Sequence, residues 1–288
     1  MSVLFDHKHN NLFFIHHTLD EKPFKDNFFI HSHEMYELLY IISGEGTFFV
    51  EGNEYPLSPN CIYIMKSGET HRMNISEGTP YERISIHFSS SILSSIDSQE
   101  KLLYAFNKRN IGSLNCYTKE ILNSEIVHNC FDSFSSNMLK KSKEDTYDIR
   151  LLFLTYLFPI LTEINNSFHT HYSKEEKVED KNTIRLVIEY INNNLTEDWT
   201  LDTLSDKFYI SKSYLNNLFK ETTGTTIWNY VIIKRLTIAR SQIQSGISIK
   251  EAFTNSGFSD YSSFYRRYLS RFGVSPSYDK PQWRTYDN

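Results

Sequence analysis

LDTLSDKFYISKSYLNNLFKETTG, Leu201 to Gly224, and SIKEAFTNSGFSDYSSFYRRYLSRFGVSP, Ser248 to Pro276, carry one pattern twice. Each begins with a short amphipathic helix, turns on polar residues, and continues into a second helix opened by serine or aspartate. In the first unit Leu201, Leu204 and Phe208 form the apolar stripe of the supporting helix. Ser211 stands where its hydroxyl can accept an otherwise unpaired N–H at the start of the next helix. Leu215, Leu218 and Phe219 then recur at helical spacing and predict its inner face. Lys212, Ser213, Asn216 and Asn217 are left outside, near its N-terminal end. In the second unit Gly257 suits the turn, and Ser259 or Asp260 the cap. Phe264, Tyr268 and Phe272 predict the core side, while Tyr261, Ser262, Ser263, Tyr265 and Arg266 face outward. Between the units, IWNYVIIKRLTIARSQIQ (Ile227 to Gln244) reads as one apolar-faced helix that fixes their spacing.

A helix-turn-helix lays its second helix in the major groove of DNA. Two in one chain predict the reading of successive major-groove faces. Asn216 and Asn217 suit adenine, whose N6 and N7 an amide can bond together, and Arg266 suits guanine O6 and N7. Lys212 and Lys220 are placed for phosphates. For any one of these residues the alternative is a solvated face on a helical bundle. The joint recurrence of caps, turns and stripes favours DNA.

Charge divides the same way. From Thr183 onward there are 13 basic and 10 acidic residues, against 17 and 25 before it, within an overall net charge of -5. The small positive balance suits a C-terminal half that meets phosphates. All 11 histidines lie at or before His171, and the cysteines are Cys61, Cys116 and Cys130, so the C-terminal third has no zinc-finger ligand set. Three unpatterned cysteines predict reduced thiols in a cytoplasmic protein. MSVLFDHKHN lacks the order of a signal peptide, and the longest apolar run, Leu151 to Leu161, is too short for a bilayer and holds Pro159. No membrane association is expected.

From about residue 12 to 90 the chain reads as short strands: FFIHSH, YELLYIIS, GTFFVEG, CIYIM and YERISIHF, separated by glycine and proline. Such spacing predicts a β-sandwich or small barrel. Helical period follows at Ile121, Leu122, Glu125, Ile126, Cys130 and Phe131, then Phe134, Met138 and Leu139, and again at Leu151, Leu154, Leu157, Phe158, Leu161 and Ile164. These two helices pack on the barrel or on the same pair in a second subunit. HTHYSKEEKVEDKN (His169 to Asn182) is nearly devoid of apolar residues and predicts a linker.

SYLNNLFKETTG, RLTIARSQI and GFSDYSSFYRRYLSRFGVSP resemble the DNA-binding domain of the AraC/XylS family of bacterial transcription regulators, over about residues 184 to 280. The resemblance implies two subdomains on a linking helix, with base contacts at Ser213, Asn216 and Asn217 and at Tyr261, Ser262 and Arg266. The chain departs at Phe253, where a small alanine is usual against the recognition helix, and at the polar Asn255 and Ser256, which predicts looser packing of the second unit. His31, His33 and Glu37 in HSHEMYE, with Gly44, Gly68 and His71, resemble the two motifs of the cupin barrel. In cupin enzymes such a set holds one transition metal, and imidazole with carboxylate suits Fe, Mn, Ni or Zn. In regulators of the resembled family the same barrel commonly holds a small molecule, often a sugar, without metal.

The expected fold class is therefore α+β in two domains: a cupin-like β-barrel with following helices over 1–168, a linker over 169–182, and an all-α domain with two helix-turn-helix units over 183–288. The expected activity is DNA-binding transcription regulation, with His31, His33, Glu37, His71, Arg83 and His87 around a small-molecule effector and no cofactor. Tyr36 and Tyr40 are expected to pack outside the cup. Implied partners are double-stranded promoter DNA, the effector, a second copy in a homodimer, and RNA polymerase if the protein activates. The alternative is a metal-dependent cupin enzyme fused to a DNA-binding domain, with the metal on His31, His33, Glu37 and His71. No nucleophile triad or glycine-rich phosphate loop suggests other chemistry.

Overall fold

A computed structural model describes residues 2–9, 12–23, 28–94, 96–97, 101–141, 149–172 and 183–280. The chain divides into two compact units, one of Met1–Phe29 with Met35–Asp180 and one of Ile30–Glu34 with Lys181–Asn288. Most of the expected linker, 173–182, lies outside the described residues.

The N-terminal unit is built on antiparallel strands β1 (Ser2–His9), β2 (Phe13–Asp20), β3 (Tyr36–Ser43), β4 (Gly46–Val50), β5 (Asn53–Leu57), β6 (Ile62–Met65), β7 (His71–Ile75), β8 (Tyr81–Phe88) and the short β9 (Cys116–Tyr117). Six pair in the order β1-β2-β8-β3-β6-β9, and three in the order β5-β4-β7. Alternation along each strand gives the larger sheet two different faces. One carries Phe13, Ile15, Leu38, Tyr40, Ile62, Ile64, Ile84 and Ile86. It packs on the helices that follow, α1 (Tyr104–Lys108), α2 (Ser124–Lys141) and α3 (Ile149–His171). The other carries Leu39, Ile41, Tyr63, Met65 and Tyr81 and faces Phe48, Val50, Leu57, Met73 and Ile75 of the smaller sheet. The space between the two sheets is the cup.

The register turns Glu37, Leu39 and Ile41 to the face that stands opposite the smaller sheet. Tyr36 and Tyr40 point the other way: Tyr36 packs near Phe88 and Phe106, and Tyr40 stacks on Phe131 of α2 at 4.2 Å. One expected strand is corrected. FFIHSH (28–33) forms no strand and contributes a single bridge at His31. The strands β1, β2, β5, β7 and β9 were not anticipated.

A buried ion pair braces this unit. Glu69 and Arg109 are each almost wholly buried and meet at 2.5 Å, with further bonds from Arg109 to the Ile64 carbonyl and from the Gly112 N–H to Glu69. Burial alone would raise the Glu69 carboxyl, yet the guanidinium beside it holds it below its ordinary range. Asn115 bridges the same carbonyl and carboxylate. The pair thereby ties the loop before β7 to the chain entering β9.

Over the described residues 183–280 the C-terminal unit forms helices α4 (Thr183–Asn193), α5 (Leu201–Phe208), α6 (Lys212–Thr223), α7 (Ile227–Gln244), α8 (Ile249–Asn255) and α9 (Tyr261–Phe272). It holds two small cores. Leu204, Leu215 and Phe219 gather with α4 and with Ile227, Tyr230 and Val231 of α7. Phe264, Tyr268 and Ala252 gather with Leu236, Ala239 and Ile243 of the same helix. Thus α7 is the linking helix foreseen. Ile30–Glu34 joins this unit through Ser32, whose hydroxyl lies 2.8 Å from Thr237 Oγ1, and Glu34, 3.6 Å from Arg240. Among the described residues no helix is long and apolar enough to cross a membrane.

Removing one half of a buried ion pair strands the other charge without its partner. Arg109→Met is expected to lower stability by about 3–5 kcal/mol, read as a fall in the urea midpoint of the full chain. An unchanged midpoint would show that Glu69 tolerates the loss.

Candidate DNA interface and ligand cup

The two short helices α6 and α9 start on well-formed caps. Ser211 Oγ accepts the Tyr214 N–H, and both carboxylate oxygens of Asp260 accept N–H groups of Ser262 and Ser263. Asp260, not Ser259, is therefore the cap of α9. Supporting helices α5 and α8 open on capping boxes at Thr200–Thr203 and Ser248–Glu251. Behind α6 the buried residues are Leu215 and Phe219, and behind α9 they are Phe264 and Tyr268.

Lys212, Ser213, Asn217 and Lys220 are exposed on α6, as are Tyr261, Ser262 and Arg266 on α9. Two expected outer residues are differently placed. Asn216 is half-buried, and its Oδ1 accepts the Ile227 N–H at 3.3 Å, so it brackets the start of α7. Ser263 is half-buried and accepts from Arg267 Nε at 3.2 Å. Lys212 reaches back to Asp202 on α5 at 2.7 Å, and that hydrogen bond raises its pKa. The small buried residue behind α9 is Ala252. Phe253 sits beside it, edge-on to Tyr261 at 5.5 Å and Phe264 at 5.6 Å. Ser256 is fully buried with its hydroxyl on the Ala252 carbonyl. The departures from the usual pattern are thus absorbed by packing and by a local hydrogen bond.

One residue that reading the sequence did not single out joins the two halves. Arg235, midway along α7, donates from Nε to the Leu195 carbonyl at 2.8 Å and from Nη2 to the Glu197 carbonyl at 3.1 Å, both before α5. Its Nη1 donates to the Gly257 carbonyl, in the turn before α9. Burial draws its pKa down from the ordinary arginine value. Gly257 has φ +83°, and an added Cβ would come within 3.0 Å of the Arg235 guanidinium carbon. Glycine there suits the positive φ, and an added Cβ would also meet the Thr196 Cα at 2.9 Å.

In the N-terminal unit the cup brings Glu37, His71 and His87 together. Glu37 Oε2 lies 3.2 Å from His71 Nε2, and Oε1 lies 3.6 Å from His87 Nε2 and accepts from Ser85 Oγ at 2.8 Å. The ring of His71 is fixed by the Glu69 carbonyl at 3.0 Å. Phe14 lies 5.7 Å from both His16 and His87. Burial lowers the His16 pKa, opposed by Asp6 and reinforced by Arg83. Arg83 stands on the cup face of β8 beside Tyr81, whose phenol burial pushes up. Ser85, His16 and Phe14 were missed. Period-two alternation from Arg83 to His87 would have found Ser85. His31 and His33 belong to Ile30–Glu34, which packs within the C-terminal unit, with their rings 6.3 Å apart.

These features define a class of protein: a regulator with a ligand cup in one unit and two helix-turn-helix elements in the other. Residues 204–279 match the family model described as a helix-turn-helix domain, and residues 21–129 match that of the AraC-like ligand binding domain. The chain belongs to the AraC/XylS family of DNA-binding transcription regulators. It is similar to the transposon Tn10 TetD protein of Escherichia coli, 34% identical over 96 residues, 33% of this chain and 70% of that one. It is 22% identical over 254 residues to the Msm operon regulatory protein of Streptococcus mutans, covering 88% of this chain and 84% of that one. It is also 22% identical over 247 residues to the raffinose operon transcriptional regulatory protein of Pediococcus pentosaceus, covering 85% and 84%.

Arg235→Met removes three charge-assisted donors at once. The C-terminal unit is expected to lose at least about 1.5–3 kcal/mol, the range for one hydrogen bond to a charged group, measured by thermal unfolding. Unfolding at the wild-type temperature would deny the bracket any stabilising role.

Proposed function

We propose that the chain is a ligand-responsive, sequence-specific regulator that reads operator DNA through the outer faces of α6 and α9. The carrying observation is that both helices present exposed polar side chains over their first turns, from intact caps and against separate cores on one linking helix. Asn217 and Arg266 are the base readers, and Lys220, exposed on the same helix as Asn217, is a phosphate contact. Ser213, Tyr261 and Ser262 complete the interface. Asn216 acts through α7 instead, and Lys212 must exchange Asp202 for a phosphate.

The cup serves as a sensor and not as a catalytic centre. Its carboxylate, Glu37, is already engaged by Ser85, and the imidazoles of His71 and His87 lie against it, an arrangement suited to hydrogen-bonding a polar ligand. A sugar is the effector class this lining would hydrogen-bond, and one relative of similar length is named for a raffinose operon. The effector works only through different affinities for DNA-competent and incompetent states. The helices α2 and α3 supply the surface on which two copies pair in the cytoplasm, and RNA polymerase is the further partner if the protein activates.

Binding of promoter fragments, measured across a salt series, tests the reading. Asn217→Ala and Arg266→Ala are each expected to weaken operator binding by about 1–3 kcal/mol and to relax preference at one base pair. Lys220→Ala is expected to weaken all sequences alike and reduce the salt slope by about one. Failure of the wild-type protein to bind any promoter fragment at low salt would overturn it.

A further inference from the structure

We infer that the effector is an anion: a sugar-sized molecule whose carboxylate or phosphate pairs with Arg83 in the cup. This rests on the reading of the cup as an effector site and adds the charge of what enters it.

Arg83 sits mid-strand in β8, opposite Thr18 of β2 and Ile41 of β3, so its side chain rises from the middle of the large sheet. It projects toward the smaller sheet, where Nη1 lies 3.6 Å from Met73 Sδ and 3.4 Å from the Tyr81 hydroxyl. A thioether and a phenol are weak acceptors for a guanidinium. The Phe28 and Tyr81 rings lie 5.4 Å away and add a cation–π environment that is apolar. Nε is shielded from solvent and has no hydrogen-bond partner among the described residues. No carboxylate of the described residues pairs with it. Glu37 stands opposite His87, four residues along β8, where its oxygens lie against Ser85, His71 and His87. Asp20, on the same face of β2, accepts the Lys22 N–H.

Two other sheltered arginines hold an anion, while Arg235 is held by backbone carbonyls. Arg109 has the Glu69 carboxylate at 2.5 Å, and Arg240 has the Asp279 oxygens at 2.9 and 3.2 Å. Arg83 alone of these four holds its fork toward a lined cup without an anion. A guanidinium edge of Nε–H and Nη–H matches a carboxylate or phosphate in bidentate fashion. Ser85 and His87 follow on the same face at two-residue steps of about 6.6 Å, within the span of a sugar ring. They offer hydroxyl partners, and Phe14 between His16 and His87 offers a flat apolar face. The acid group and the polyol are thus recognised at adjacent positions of one strand.

Isothermal titration of the full chain with glucose, galactose, raffinose, glucuronate, galacturonate and glucose 6-phosphate tests this. At least one acidic probe is expected to bind tenfold or more tighter than its neutral parent, and the uronate and phosphate arms show which oxyanion is preferred. Arg83→Gln is expected to abolish that tenfold preference, and Arg83→Lys to restore part of it. Because no carboxylate partner is lost, Arg83→Gln should melt no lower than wild type without ligand, which separates lost binding from misfolding. Equal binding of neutral and acidic probes, or an acidic preference surviving Arg83→Gln, overturns the anion while leaving the effector reading intact. No heat with any probe counts against both.

Discussion

The DNA-reading unit depends on Arg235 reaching three carbonyl oxygens that belong to different parts of the chain. Each core of this unit is small: the second one gathers six fully buried residues around half of α7. Cores of that size do not fix the position of a recognition helix unaided. Arg235 supplies the missing constraint from the middle of α7, one side tied to the segment before α5 and the other to the turn before α9. Gly257 accommodates it, since an added Cβ there would crowd the guanidinium at 3.0 Å and the Thr196 Cα at 2.9 Å. The faces of α6 and α9 are useful only because this bracket and the caps hold them to one frame.

The N-terminal unit solves a different problem. Its large sheet buries both faces, one under helices and one toward the smaller sheet, yet must leave polar groups inside. Apolar residues fill the cup near β3, β4 and β6, while β2 and β8 bring Phe14, His16, Arg83, Ser85 and His87 to the same face. Polar groups in such a place persist when hydrogen-bonded. Glu37 accepts from Ser85 and lies against His71 and His87, whereas Arg83 meets only a thioether and a phenol, which marks its part of the cup as the one suited to a ligand.

Much of the C-terminal unit was legible because its signals are local. A serine or aspartate four residues ahead of a periodic stripe, and a glycine after it, state where a helix begins and ends, and Ser211, Gly224, Asp260 and Gly273 do so here. Asn216 was misplaced because a helical wheel shows which way a side chain leaves its own helix, not that α7 begins within its reach. Arg235 was unreadable for the same reason, since its partners lie 22 to 40 residues away. The HSH stretch looked like strand by alternation, but Ser32 is held by Thr237, 205 positions along the chain. In β1 and β2 the histidines and charges broke the apolar pattern that marks a strand. Arg83 and His87 were found from their strand, while Ser85 between them was passed over as too plain a residue.

Hydroxyl-radical footprinting of the full-length protein on a bound promoter fragment tests the central claim most directly. Two helices held in one frame predict two protected segments per chain, about one helical turn apart, 10–10.5 base pairs, on one face of the duplex. A single protected segment, or two whose separation is not near a whole turn, would contradict the account.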